Sequence, residues 1–396
     1  MTTPQRARFA EDALSRRATK VMTRGNTRST LFVPPAPPYA VRGEGAHIVD
    51  QLGGRVIDAN NNYTSLIHGH AHPRITAAVA EVVGSGTAFG LPTEQEVELA
   101  ELLSARTGQE RWRFSNSGTE AVMTAVRAAR SYTGRGILIR FEGSYHGTSD
   151  AVVSRTAPGI TAGVRSDVVV LPQGNVEAFD EVIAEHGDRV AAVLIDLMPN
   201  RAGLVPADPA FVEHIREATR AVGALMIVDE VISLRLSLGG LAAEYGADPD
   251  LITAGKIIGG GFPIGAVGGR ADVLAVFDPL ADTSVGWGGT FSANPVSMTA
   301  GRVAMQLFDA EAVQRLNGAG DRLRESLLAA GVAVTGRGSL MRLREPGEPA
   351  DLWWAAYERG VMIGTNGLIS LSTAMTEQDL ATIERSIVKA AEQGRR

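Results

Sequence analysis

An α/β fold is predicted: a mainly parallel sheet covered by helices, joined to a smaller α+β domain assembled from both chain ends. Two observations predict it. The first is a series of short apolar runs that do not alternate: GILIRF (Gly136–Phe141), VVVL (Val168–Leu171), AAVLID (Ala191–Asp196) and ALMIVD (Ala224–Asp229). Runs of this length suit strands buried on both faces. The second is a well-marked helix between the last two runs. Asp208 can cap it, Pro209 takes its first position, Val212, Ile215, Thr219 and Val222 follow at helical spacing, and Gly223 ends it.

The ends of the chain have a different texture. Residues 30–50 are rich in Pro and Gly and lead into short β-like pieces, AHIVD and RVIDA. After about residue 308 come a long helix (Glu311–Ala330), further β-like pieces and a final helix. This divides the chain into an N-terminal segment, residues 1–61, a large domain, 62–307, and a C-terminal small domain, 308–396.

Composition narrows the chemistry. The 396 residues include 45 glycines with no triplet period, which rules out collagen, and the hydrophobic content of 44% is enough for a core. There is no cysteine, so disulfides, a thiolate nucleophile, iron–sulfur clusters and Cys-based zinc sites are excluded, and no metal is expected. The charge balance, 38 basic against 44 acidic residues, gives −6 and no reason to expect nucleic acid as a partner. No run approaches the ~18 apolar residues of a membrane span. The Arg-rich start lacks the apolar stretch of a signal peptide, and Glu11 and Asp12 favour a surface helix over a transit peptide. A cytoplasmic location is the expectation.

Four features carry chemistry. Lys256, in LITAGKIIGGGFPIGAVGG, follows an expected strand (Leu251–Ala254) and has apolar flanks. Desolvation there would lower its pKa and free the amine for imine chemistry. The glycine run after it is no nucleotide motif, because Ile264 stands where a G-x-G-x-x-G needs its third glycine. Asp229 ends the run ALMIVD, at the carboxyl edge of a buried strand, where α/β enzymes place ligand-binding groups. A buried anion there suits a protonated pyridine nitrogen. Ser117, Gly118 and Thr119, in SNSGTE, open a helix whose first amides can cradle a phosphate. Tyr145 and His146, in FEGSYHG, lie just past a strand end, where an aromatic ring can stack on a planar ligand. Singly, each has an ordinary use: a loop-end lysine, two helix caps, a packed Tyr-His pair.

In combination and in this order, SNSGTEA, FEGSYHG, VDEV, GKIIGGGFPIGA and GTFSANP resemble the class III aminotransferases of pyridoxal phosphate (PLP) fold type I, from about Arg24 to residue 390. Within that class the chain is similar to β-amino acid (β-phenylalanine) aminotransferases, through RGNTRSTLF, TGRGSLM and DEVISLRL, and to glutamate-1-semialdehyde aminomutases. The resemblance implies pyridoxal 5'-phosphate as cofactor, with Lys256 as the imine-forming and proton-moving amine and Asp229 on the pyridine nitrogen. It implies that Val231 packs on one ring face while Tyr145, with His146, covers the other. Ser117, Gly118 and Thr119 hold the phosphate, and Thr290 reaches the cofactor phosphate of a second subunit, so a homodimer with shared active sites is implied. Asn200 is expected at the cofactor's phenolic oxygen, and Arg28 on the substrate carboxylate.

The sequence departs from the family at three places. Asn366, in GTNGLISLS, stands where an arginine for the α-carboxylate of the keto acid is expected, and a neutral amide cannot replace a bidentate cation. In DLMPNRAG, Asp196–Gly203, the family's Glu-Pro is Asp-Leu, and Arg201 adds a charge that could serve as the alternative carboxylate anchor. Residues 150–167 form a shorter loop than the aminomutases have, which favours release of a keto product. The leading expectation is therefore a ping-pong aminotransferase, acting through pyridoxamine phosphate on a β-amino acid-like or non-standard amine and a keto acid. The alternatives are an intramolecular aminomutase and a catalytically silent PLP-fold binding protein.

Overall fold

A computed structural model describes residues 4–154, 156–344 and 347–395. The chain divides into two units, one spanning Arg74–Arg315 and the other built from both chain ends, through Pro73 and from Leu316 onward.

The larger unit is organised on a seven-stranded sheet. In chain order its strands are β1 (Arg111–Ser115), β2 (Ile137–Phe141), β3 (Val168–Leu171), β4 (Val190–Ile195), β5 (Leu225–Asp229), β6 (Leu251–Gly255) and β7 (Gly265–Gly269). Their spatial order is β1-β7-β6-β5-β4-β2-β3. The pairs β2–β3, β2–β4, β4–β5 and β5–β6 are parallel, and only β7 runs against both its neighbours. Three of the four non-alternating runs have the burial they foretold, every residue of β2, β4 and β5 being buried, as is every residue of β6. In the fourth, β3, Val169 and Val170 are only half-buried, because that strand forms an edge of the sheet.

Helices cover both faces. Helix α1 (Gly118–Thr133) presents Ala121, Val122, Ala125, Ala128 and Ala129 to Leu138, Ala192, Leu194, Leu225 and Ile227. Its small residues let the helix lie close to the sheet. On the opposite face Phe141 meets Phe211 edge-on, with ring centroids 5.4 Å apart. Phe211 belongs to α2 (Pro209–Val222), which begins and ends as its sequence signals require. Asp208 accepts the Ala210 N–H at 3.0 Å, and Gly223 closes the helix at φ +69°.

The unit made of the chain ends holds two small sheets. One pairs Ala40–Glu44, His47–Asp50 and Arg55–Asp58 antiparallel and adds Val361–Met362 in parallel. The other pairs Val334–Arg337, Leu340–Leu343 and Leu368–Ser370. Early and late sequence thus share one sheet, in which Val361 pairs with Ile57. Trp353 stacks on Tyr357 at 4.8 Å, and Arg6 lies over the Trp354 ring at 5.6 Å while bonding Glu358. Among the described residues no helix is long and apolar enough to cross a membrane.

Candidate active site

The carboxyl ends of the parallel strands gather the polar groups of the larger unit, as the topology of an α/β sheet requires. Asp229 closes β5 and is buried. Its Oδ2 lies 2.6 Å from His146 Nδ1, while Oδ1 accepts the Thr253 hydroxyl at 2.9 Å and the Val231 N–H at 3.1 Å. Burial alone would raise this carboxyl. The hydrogen bond and charge of His146, with the Val231 and Thr253 donors, outweigh it and hold Asp229 below the usual carboxylate range. Asp229 is thus an ionised acid kept dry by its own bonding. His146 is buried too, and its Nε2 has no hydrogen-bond partner among the described residues.

Lys256 follows β6 directly and opens a short 3₁₀ turn, Lys256–Gly259, with its own backbone in the left-handed region at φ +50°. A non-glycine residue rarely holds this conformation unless its surroundings enforce it. Burial lowers the Lys256 amine to about 8, and the nearby Arg235 guanidinium acts in the same sense. The charges of Asp229 and Asp196 oppose the shift.

Asp196, just past the end of β4, is the second buried carboxyl of this group, and its Oδ1 accepts the Met198 N–H at 2.9 Å. Burial and the Asp229 charge push it up to about 6, against the pull of His146 and Lys256. Next to Asp229 in the chain, Glu230 is fully enclosed and raised to about 7 by burial, although it accepts the Ala242 N–H at 2.5 Å and the Ser233 hydroxyl. Arg235, also fully enclosed, is lowered to about 9 by burial.

Ser117, Gly118 and Thr119 lie at the start of α1. Ser117 is its N-cap, with Oγ accepting the Glu120 N–H at 3.2 Å, and Glu120 reaches back to the Asn116 N–H at 2.5 Å. Glycine is required here by close approach. A Cβ on Gly118 would lie 3.1 Å from a Val231 methyl, and one on Gly265 would overlap the Ser117 carbonyl oxygen. Gly147, at φ +99°, lies against Thr119, whose Oγ1 accepts the Thr148 N–H at 3.3 Å. The loop bearing Tyr145 and His146 is thereby drawn onto the N-terminus of α1.

Tyr145 is 39% exposed, and the Arg201 guanidinium lies over its ring at 4.5 Å. The loop carrying Asn200 and Arg201 is held there by the bond from the Ala202 N–H to the Gly143 carbonyl, 3.1 Å. Asn200 itself is buried. Thr290 is exposed and lines a cavity of about 210 Å³ with Phe89, Leu91 and Pro92.

Arg28 and Asn366 belong to the unit of the chain ends. Arg28 Nη1 donates to Asn62 Oδ1 at 2.9 Å, and Asn62 sits in a left-handed stretch, Asn61–Thr64, of four consecutive non-glycine residues with positive φ. Strain of this kind persists only where neighbours over-determine it. Here Asp58 accepts the Asn60 and Asn61 N–H groups, and Asn61 donates to the Ser370 carbonyl. Asn366 Oδ1 is spent inside its own turn, accepting the Leu368 N–H at 3.2 Å.

Lys256, Asp229, Val231, Tyr145, His146 and the Ser117–Thr119 segment, all named from the sequence, lie in the larger unit along the same strand ends. The His146–Asp229 bond, the Thr253 donor and the buried ionisable groups of Glu230 and Arg235 were not foreseen. The one available signal was charge inside an apolar run: Glu230 and Arg235 interrupt VDEVISLRL.

Comparison with known proteins agrees with this arrangement. The family model described as "Aminotransferase class-III" matches residues 33–390. The crystal structure of an omega-transaminase from Sphaerobacter thermophilus is 42% identical, with 97% of each chain covered and a TM-score of 0.93. A β-phenylalanine aminotransferase from Variovorax paradoxus is 34% identical, with 97% of this chain and 95% of that one covered and a TM-score of 0.89. Among curated relatives, the glutamate-1-semialdehyde 2,1-aminomutase of Methanothermobacter thermautotrophicus is 38% identical over 354 residues, covering 85% of this chain and 84% of that protein. The chain belongs to the class-III aminotransferases, enzymes that depend on pyridoxal 5'-phosphate.

Proposed function

We propose that this protein moves an amino group between a β-amino acid-like or non-standard amine and a keto acid. The observation that carries the reading is Lys256: an enclosed amine lowered to about 8, with two buried carboxyls, Asp229 and Asp196, acting on it. Such an amine is neutral often enough near neutral pH to act as nucleophile and as proton carrier.

The residues fit pyridoxal phosphate. Asp229 offers an ionised, buried oxygen to a ring nitrogen, and His146 Nε2 is a buried polar atom with no hydrogen-bond partner among the described residues. Gly118, lacking a Cβ, lets the start of α1 approach the Val231 side chain closely. Ser117, Gly118 and Thr119 place helix-start amides where a phosphate is favoured. When bound, the cofactor supplies the electron sink that makes loss of a proton beside the amine nitrogen feasible.

The protein's own part follows. Lys256 Nζ accepts that proton and returns it elsewhere. Asp229, oriented by His146 and Thr253, keeps a negative charge beside the ring nitrogen. Tyr145 covers one ring face and Val231 the other, and Asn200 meets the phenolic oxygen. Arg28 grips the donor's carboxylate, and Arg201 anchors that of the acceptor in place of the arginine that Asn366 replaces. Thr290, exposed beside the exposed apolar side chains of Phe89 (53%) and Leu91 (77%), is offered to the phosphate site of a second copy, which makes the working form a homodimer.

One observation favours a second reading, an intramolecular aminomutase: curated relatives 38–42% identical carry the name glutamate-1-semialdehyde 2,1-aminomutase. Such an enzyme needs no external acceptor, which suits Asn366. The two separate in one experiment. The pyridoxal form is mixed with a panel of amines in a single turnover, following the absorbance change to the pyridoxamine form and the free keto acid released. Stoichiometric keto acid from a β-amino acid supports the aminotransferase. Isomerised amine without keto acid supports the mutase.

A further inference from the structure

Two carboxyls end neighbouring strands of the larger unit. Strands β4 and β5 pair in parallel with Ile195 opposite Val228, so the next residues, Asp196 and Asp229, come side by side, each only 4% exposed. The two acids close the same local turn. Asp196 Oδ1 accepts the Met198 N–H at 2.9 Å, and Asp229 Oδ1 accepts the Val231 N–H at 3.1 Å. Beyond that turn they differ. Asp229 also takes the Thr253 hydroxyl and faces His146 Nδ1, whereas the Asp196 side chain accepts no further hydrogen bond among the described residues. Donors stabilise the charged form of a carboxyl, and two carboxyls in one dry place resist carrying two charges. The proton of the pair therefore belongs on Asp196, the acid with the single donor.

The other ionisable groups that act on Asp196 are His146, from the loop after β2, Lys256, from the end of β6, and Glu230, next to Asp229 in the chain. His146 and Lys256 draw the proton off Asp196, and the Asp229 charge keeps it there. Lys256 feels Asp196 in return, with Asp229 acting in the same sense and Arg235 against them. An ionised Asp196 favours the ammonium form of Lys256, and a neutral one favours the free amine. We propose that Asp196 is a positioning residue that holds the one proton of the two side-by-side carboxyls and, by giving it up to solvent as pH rises, makes the Lys256 amine more basic. The Asp196 carboxyl, raised to about 6, makes this change in the slightly acidic range. The inference rests on the reading of Lys256 as the reactive amine and is independent of which donor and acceptor are used.

The test uses the pyridoxal phosphate-loaded enzyme, whose visible absorbance followed against pH reports the protonation of the Lys256 nitrogen. Asp196→Asn keeps an oxygen for the Met198 N–H but never ionises. It is expected to lower the pKa of the Lys256 nitrogen by about 0.5 or more, roughly threefold in its protonation equilibrium. Asp196→Glu, which keeps the charge, is expected to stay near the parent value. A second readout needs neither cofactor nor variant. The chain has three lysines, and Lys20 and Lys389 are exposed. The full-length, cofactor-free protein is labelled with acetic anhydride across pH and read by mass spectrometry. Lys256 should give a rate curve with a second step on its acidic side, and Lys20 and Lys389 a single step each. No shift in Asp196→Asn, equal shifts in Asp196→Asn and Asp196→Glu, or a single-step Lys256 curve overturns the proposal. If Lys256→Met leaves the absorbance of the loaded enzyme unchanged, the reading of Lys256 as the reactive amine falls instead, and the labelling curve alone decides the role of Asp196.

Discussion

His146 Nδ1 and Asp229 Oδ2 lie 2.6 Å apart, both buried, on segments 83 positions apart in the chain. The pair joins the aromatic loop after β2 to the acid that ends β5. It uses the acid's own bonding to keep it ionised where burial would protonate it. His146→Ala should therefore let the Asp229 carboxyl rise. With pyridoxal phosphate bound, we expect kcat to fall about 10–100-fold, or about 1.4–2.7 kcal/mol of barrier, and the pH–rate profile to shift on its acidic limb. His146→Gln, which keeps a donor, should recover part of the loss. An unmoved acidic limb in His146→Ala would separate the histidine from Asp229's ionisation.

Asp196 offers a stability test with a defined sign. Its folded pKa, about 6, lies above the ordinary carboxyl value of 3.8. A raised folded pKa means that the folded state prefers the protonated acid. Its stabilising contribution is present below pH 3.8 and is lost as pH rises through 6. Asp196→Asn should therefore stabilise the cofactor-free protein by on the order of 1–2 kcal/mol at about pH 8, and by little at about pH 4. Urea unfolding at the two pH values measures the difference. An equal effect at both would contradict the assignment.

Lys256 predicts a second gain in the cofactor-free protein. Its folded pKa, about 8, lies below the ordinary 10.5, so its stability contribution is present above pH 10.5 and is lost as pH falls through 8. Lys256→Met should raise stability at about pH 7 by on the order of 1 kcal/mol, a figure discounted because the residue as a whole keeps some solvent contact. The same variant should lose amino transfer altogether. It should also retain no cofactor after borohydride treatment and denaturation, as read by mass spectrometry. Retention of the adduct would place the imine on another lysine.

Gly147 tests the packing of the Tyr145 loop on α1. A Cβ there would overlap Thr119 Oγ1, at a φ of +99° that side chains avoid. Gly147→Ala is expected to cost about 1–3 kcal/mol of local order, seen as a tenfold or greater rise in the pyridoxal phosphate dissociation constant with near-native circular dichroism. Unchanged cofactor affinity would mean that the loop and the helix start are not coupled.

Arg28→Ala should raise the KM for a β-amino acid donor about 10–100-fold, the loss of a charged bidentate contact. A donor amine without a carboxylate should react unchanged. Equal damage to both donors would show that Arg28 acts only through its bond to Asn62.

Much of the active region is legible in the amino-acid sequence. Lys256, Asp229 and the Ser117–Thr119 segment sit at strand ends, and strand ends are written locally, as apolar runs closed by a polar residue or a glycine. The helix from Pro209 to Val222 is readable for the same reason, since its cap, its proline and its closing glycine lie within one continuous stretch, Asp208–Gly223. The sheet order is not written locally. It depends on which strands pair, and β7 enters between β1 and β6 although it comes last of the seven along the chain.

Sequence alone determined the fold class, the family and the cofactor, because each depends on short segments whose chemistry survives being read one at a time. Tertiary structure alone decided the electrostatics. His146 lies against Asp229, the Asp229 charge raises Asp196, and Arg235 and Glu230 are enclosed as ionisable groups. Arg201 lies on Tyr145, and Asn366 spends its carbonyl on its own turn. The physical reason is that a charge takes its energy from burial and from neighbours within a few ångströms. Those neighbours are set by folding across long stretches of chain, a distance over which adjacency in the sequence carries no information.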